Sequence, residues 1–225
     1  MAAMRLALVV TTAAICVGTA AAASTPPRAA HTAAGTKLAQ ASLLRVGDLG
    51  SSWTADQASG ASPGLNFSCT GFTPKQSDLV EIGTASSPNF KASAIGPFVL
   101  QKTSVYESAK AAQTLWQRSV KPRLVECVAQ SLEALTSRGV RVTINSRDTI
   151  PIGALADRSA SYRVVATLTT DKQRLKTYFD VVLLARSRTI TELTISQFQK
   201  PPPLKWEIAL AKIAARRIGA GGPAA

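Results

Sequence analysis

The sequence predicts an α+β fold, in which helices pack on one face of an antiparallel sheet within a single domain. Three observations lead there. Apolar residues recur with helical spacing over residues 107–135 and again over 204–218, whereas much of the stretch between them alternates with a period of two. The breaks inside that alternating stretch are short and polar, at 170–173 and 186–188, as hairpins require. No long linker or repeat divides the chain beyond its N-terminal region, so one core is expected.

Residues 37–46 are expected to open the domain as a short helix that offers Leu38, Leu43 and Leu44 for burial and stops at Gly47. Thr73 as N-cap and Pro74 at the first helical position predict a second short helix over 74–82. Residues 92–106 contain apolar stretches split by Gly96-Pro97, which reads as two strands or one interrupted strand. In 107–135, Ala109, Ala112, Leu115 and Trp116 share one helical face, and Leu124, Val128, Leu132 and Leu135 share another. Pro122 stands between the two sets. A proline inside a helix costs about 3 kcal/mol, so two helices or one kinked helix are expected.

Residues 140–144 form a short alternating run. The run 161–169 places Tyr162, Val164, Ala166 and Leu168 on one face and Arg163, Val165 and Thr167 on the other. Residues 178–185 (YFDVVLLA) are nearly all apolar, as in a central strand covered on both faces. With 189–195, which alternates again, these runs make a three-stranded antiparallel meander. After Pro201-Pro202-Pro203, residues 204–218 return to a helix, with Leu204, Ile208, Ala211 and Ala215 along one side. Lys212, Arg216 and Arg217 near its end suit the helix dipole.

The N-terminal region reads as an export signal. Arg5 is followed by an apolar run over 6–17, and Ala21 and Ala23 frame a small-residue cleavage site before Ser24, so residues 1–23 are expected to be a secretory signal peptide. The alternative is retention of the uncharged stretch 6–23 as an anchor, since about 20 apolar residues span a bilayer. Ala13 and Ile15 before Cys16 do not match the context of a lipid-bearing cysteine, so Cys16 is expected to leave with the signal. Residues 24–35 (STPPRAAHTAAG) read as a disordered tether, which carries the one His, His31. The domain is then 36–219, and 220–225 a disordered tail.

Of the three cysteines, Cys69 and Cys127 remain after cleavage, and an oxidising compartment predicts a bridge between them, with two buried free thiols as the alternative. Lys and Arg number 26 against 13 Asp and Glu, a formal charge of +13, which loss of Arg5 with the signal lowers to +12. Charged residues are nonetheless only 17% of the chain, so the surplus comes from scarce acids rather than basic blocks. Arg118, Lys121 and Arg123 flank the helix break, and Lys172, Arg174 and Lys176 lie in a hairpin. Outside the cell such charge attracts anionic lipid headgroups or acidic wall polymers. Nucleic-acid binding is not expected, because no aromatic-basic module is present.

Catalytic chemistry finds little to work with. Gly60-Ala61-Ser62-Pro63-Gly64 matches a nucleophile elbow, but no strand precedes it, no His follows it, and Pro63 lacks the N–H that an oxyanion hole needs. There is no Ser-x-x-Lys, and the analogous Thr169 to Lys172 spacing falls in a turn. A single tail His and scattered acids give no metal-ligand cluster and no cofactor motif. Two carboxylates brought together by folding would still suffice for a hydrolase. Asp48, Asp157 and Asp180 are as well explained by caps, turns and strand ion pairs. Trp53, Tyr106, Trp116, Tyr162 and Phe179 read as core before they read as a ligand cavity.

The order of these features resembles the exported sensor-type domains of actinobacteria, which occur outside the membrane on PknH-type receptor kinases and in related secreted proteins and lipoproteins. The matching pieces are Leu43-Leu44 with Asp48-Leu49-Gly50 and Trp53, the helical stretch 109–135 with Cys127, the strands at 157–165 and 179–194 joined by a tight turn at 186–188, and the last amphipathic helix. The resemblance implies a curved antiparallel sheet with helices packed on it, a disulfide-stabilised core, a cleft for an extracellular ligand, and no enzymatic activity. The chain departs from the kinase members in having no kinase domain, and from the lipoprotein members at Cys16.

The expectation is therefore a secreted or envelope-located, extracytoplasmic binding or sensor-type module without cofactor, whose partner is a small or lipid-like ligand or a wall component. Two alternatives stand beside it: an envelope interaction protein that docks a basic surface on an anionic partner without a pocket, and a carboxylate-only hydrolase. No sequence feature assigns individual ligand-binding residues.

Overall fold

The computed structural model describes residues 25–56, 68–134, 136 and 139–220, and the chain enters the sheet almost at once. Arg28–Ala29 (β1) leads to the helix Ala33–Ala41 (α1), which Thr32 caps by accepting the Gly35 N–H at 3.0 Å. A 3-10 turn at Val46–Asp48 follows, and then the strands Thr54–Asp56 (β2), Val80–Ser86 (β3), Asn89–Lys91 (β4) and Phe98–Tyr106 (β5). Helices Ala109–Ser119 (α2) and Leu124–Glu133 (α3) come next, interrupted around Pro122. The strands Arg141–Thr149 (β6), Arg158–Thr169 (β7), Arg174–Arg186 (β8) and Thr189–Phe198 (β9) precede the helix Leu204–Ala220 (α4).

The strands form one open sheet in the order β1-β3-β5-β9-β8-β7-β6, with β4 also on β5 and β2 on β4. Strands β7 to β9 are the predicted meander, and β6 extends it antiparallel along β7 from Arg141↔Thr169 to Thr149↔Tyr162. The two halves of the chain join where β5 pairs with β9, from Phe98↔Ser196 to Val105↔Thr189. Every pair is antiparallel except β1 with β3.

The α+β class and the helix-covered sheet are as the sequence predicts, but the helices occupy both faces. Tyr162, Val164, Val181, Leu183 and Ala185 pack with Leu115, Trp116, Leu124 and Val128 of α2 and α3. The alternate residues Val182 and Leu184, with Leu193 and Ile195, pack with Leu210, Ala211, Ala214 and Ala215 of α4. Helix α1 lies on the α4 side, with Leu38 and Ala39 against Val105. Residues 180–185 are consequently buried without a break, since side chains of both parities meet a helix.

Other expectations are revised. The segment expected as a disordered tether is held from Arg28 onward. Ala30 N–H donates to Glu81 O and Thr32 N–H to Ile82 O, each at 2.8 Å, so the segment pairs through its backbone, which composition does not report. The first helix ends at Ala41, before Leu43 and Leu44, because Ser42 turns the chain and its hydroxyl donates back to Leu38 O at 2.9 Å. No helix forms over 74–82. The residues before Val80 are loop, and 80–86 finds a partner in β5, which outweighs the capping signal of Thr73-Pro74. The buried stripe of α4 is also rotated: Glu207, Leu210, Ala211, Ala214 and Ala215 face the sheet, while Leu204 is 39% exposed. The signal peptide with Ala21 and Ala23, the Gly60 to Gly64 motif and residues 221–225 of the expected tail lie outside the described residues.

Candidate functional site

The acids that the sequence singles out are committed to the fold. Asp157 Oδ2 accepts the Ser187 N–H at 2.9 Å, which fixes the tight turn where Ser187 adopts φ 50°. Asp48 accepts the Arg45 N–H at 2.7 Å and is bound by Arg217 Nη2 at 2.7 Å, so it links the 3-10 turn to α4. That guanidinium and the two hydrogen bonds outweigh the burial of Asp48 and hold its carboxyl below the usual value of 3.8.

The fold brings Asp180 and Glu207 together, and Arg163 bridges them. Arg163 Nε and Nη2 donate to the two Asp180 carboxylate oxygens at 2.7 Å each, and Nη2 also donates to Glu207 Oε1 at 2.8 Å. Both acid side chains are fully buried, while Arg163 retains 20% exposure and lies 5.9 Å from the centroid of the Tyr178 ring. Burial first, and then the neighbouring Asp180, push the Glu207 carboxyl up to about 8. Closed from solvent and held by one guanidinium, this pair clasps α4 to the sheet rather than facing a substrate. These two acids are therefore closed to a substrate as a hydrolytic pair. Among the described residues there is no group of three or more His, Cys, Asp and Glu that could hold a metal ion.

Cys69 and Cys127 are joined by a disulfide, with Cα atoms 5.0 Å apart, which fastens the loop before β3 onto α3. Arg118 Nη1 holds the same loop by donating to Asp78 Oδ1 at 2.7 Å and to Lys75 O at 3.1 Å. One of the basic residues around the helix break is therefore paired. The aromatic set is core: Trp53 stacks on Trp206 at 5.7 Å, Tyr106 is 3% exposed, and Tyr162 donates its hydroxyl proton to Lys121 O at 3.1 Å. Trp116 and Phe179 belong to the core under α2 and α3.

Sequence reasoning missed Gln101. Its Oε1 accepts the Leu44 N–H at 2.5 Å, and its Nε2 donates to Ser42 O at 3.0 Å and Thr191 Oγ1 at 2.8 Å. The signal was a polar residue on the core-facing parity of an apolar strand.

What remains open is the other parity of β5 and β9. Burial alternates along both strands: the side facing α4 and α1 is closed, and Phe98, Leu100, Lys102, Thr194, Ser196 and Phe198 on the opposite side are half-buried. Phe98 and Phe198 meet edge to face at 6.1 Å and belong to none of the buried clusters. Lys102 lies opposite Glu192 in the register, and Thr194 Oγ1 donates to Glu192 Oε1 at 3.2 Å. Opposite Phe198, Thr177 Oγ1 is buried without a hydrogen-bond partner among the described residues. This strip combines an aromatic pair with charged and hydroxyl groups, and α2 and α3 are centred on the neighbouring part of the same sheet face. Phe98, Phe198, Thr177 and Thr194 carried no sequence signal beyond strand alternation.

Comparison with known proteins is sparse. No family model matches the chain, and no curated protein matches its sequence. Among solved structures, the chain is similar to the extracellular domain of PknH from Mycobacterium tuberculosis, at 11% identity over 82% of this chain and 96% of that one, with a TM-score of 0.45.

Proposed function

We propose that this chain is an extracytoplasmic, non-enzymatic binding or sensor-type module whose small or lipid-like ligand rests on the half-buried strip of β5 and β9. The observation that carries this reading is the Phe98–Phe198 pair, which packs outside the buried clusters beside Lys102, Glu192 and Thr194. Aromatic rings with a few polar groups at their edge suit an amphiphile with an apolar body. The disulfide fits an oxidising compartment, in keeping with the export signal read in residues 1–23.

The test uses anilinonaphthalene sulfonate, a fluorescent amphiphile, as probe. The parent is expected to bind it saturably at one site, and Phe98→Ala with Phe198→Ala to weaken binding about tenfold or more, the scale of lost ring contact. Equal titrations for parent and variant, or no saturable binding by the parent, would remove the strip as a site.

A further inference from the structure

The two segments on the outer surface of the α1 and α4 layer, residues 33–50 and 204–218, have a one-sided charge. Their exposed charged side chains are Lys37, Arg45, Lys205, Lys212 and Arg216, all basic. Their two acids are spent elsewhere: Glu207 is buried against Arg163, and Asp48 is paired with Arg217. Lys205, Lys212 and Arg216 make no ion pair among the described residues.

Apolar groups sit among these charges. Among the described residues, the exposed large apolar side chains are Val46 at 40%, Ile95 at 45% and Leu204 at 39%, and two of them belong to these segments. Leu204, Ile208 and Ala209, with Lys205 and Lys212, line an open groove along α4. The helix is pinned beneath by Glu207 to Arg163 and by Arg217 to Asp48, so this outer face is presented on a fixed support.

We propose that the outer face of α4 docks on the surface of an anionic phospholipid bilayer, with Lys205, Lys212 and Arg216 at the headgroups and Leu204 and Ile208 at the acyl boundary. Positive charge alone would suit any polyanion. Aliphatic side chains among the lysines favour a bilayer, where apolar area adds to electrostatic attraction. The surface lies on the opposite side of the sheet from the Phe98–Phe198 strip, so the two readings stand or fall separately.

The experiment is co-sedimentation of the full chain with vesicles of phosphatidylglycerol and phosphatidylcholine, alongside vesicles of phosphatidylcholine alone. Insertion of residues 6–23 would occur on both kinds of vesicle and would not depend on α4, so the neutral vesicles isolate the electrostatic part. The expected result is salt-sensitive retention on the anionic vesicles. Lys212→Gln should weaken it about fivefold, and Lys205→Gln, Lys212→Gln and Arg216→Gln together about a hundredfold. Leu204→Ser with Ile208→Ser should weaken binding while leaving its salt dependence in place. Equal retention on both vesicles, or a triple variant that binds like the parent, would overturn the proposal. Loss on altering Lys172, Arg174 and Lys176 instead would move the surface to the β7–β8 hairpin and also overturn it. Indifference to Leu204→Ser with Ile208→Ser, with competition by a soluble polyanion, would replace the bilayer by a wall polymer.

Discussion

Arg163 bonds two buried carboxyl groups at once, so its removal strands both. A broken buried ion pair costs about 3–5 kcal/mol, because the partner left behind keeps its desolvation penalty. Arg163→Met is expected to lower stability by that amount in denaturant titrations. Glu207 gives a separate signature. Its folded carboxyl is raised from 4.5 to about 8, so between those values the folded chain holds a proton that the unfolded chain has released. Its contribution is complete below pH 4.5 and is lost as pH rises toward 8, with a limiting slope of roughly 1.4 kcal/mol per pH unit. Asp48 and Asp78, both held below 3.8, act in the opposite sense and only at more acid pH. Glu207→Gln should flatten the stability profile between pH 5 and 8, and an unchanged slope would refute the assignment. Asp48, Asp157 and Asp180 were legible as structural acids because turns and strand pairs leave local marks. Glu207 was not, because the apolar stripe of α4 was read through Leu204 and Ile208. Set through Leu210, Ala211 and Ala214 instead, the stripe places an acid on its buried side.

Helix α1 reaches the sheet through two glycines. A Cβ on Gly35 would strike the carbonyl of Ile82, and one on Gly83 would strike the backbone of Gly35. Backbone meets backbone there, so no flexible side chain can yield. Gly83→Ala is expected to cost about 1–3 kcal/mol or more, measured as a lower denaturation midpoint. The disulfide acts on a larger loop: its two cysteines are 58 residues apart, and the loop-entropy model assigns about 4 kcal/mol to closing it. Cys69→Ala with Cys127→Ala should lose much of that stability, and an unchanged midpoint would show that the loop is held by Arg118 and its core contacts alone. Elements with a strong internal period were the readable ones, namely α2 and α3 about Pro122 and the β7–β9 meander. Strands β1 and β3 owe their existence to partners distant in sequence, so capping and composition signals misplaced them.

For the whole molecule, the decisive event is the pairing of β5 with β9, which joins the Gly96-Pro97 hairpin to the last strand of the meander. That union creates one face closed by α1 and α4 and another that α2 and α3 cover around β7 and β8. The nearly all-apolar run at 178–185 already implied two covered faces, and it argued against placing every helix on one. The strip stayed invisible because Phe98 and Phe198 are 100 residues apart and meet only through this pairing. The central claim is that this strip holds a ligand, and native mass spectrometry of the protein released by an exporting bacterial host tests it most directly. The expected spectrum shows a chain beginning near Ser24, two hydrogens lighter than its reduced form, with an adduct that leaves on activation and is absent from Phe98→Ala with Phe198→Ala. A bare parent, or an adduct kept by the variant, would contradict it.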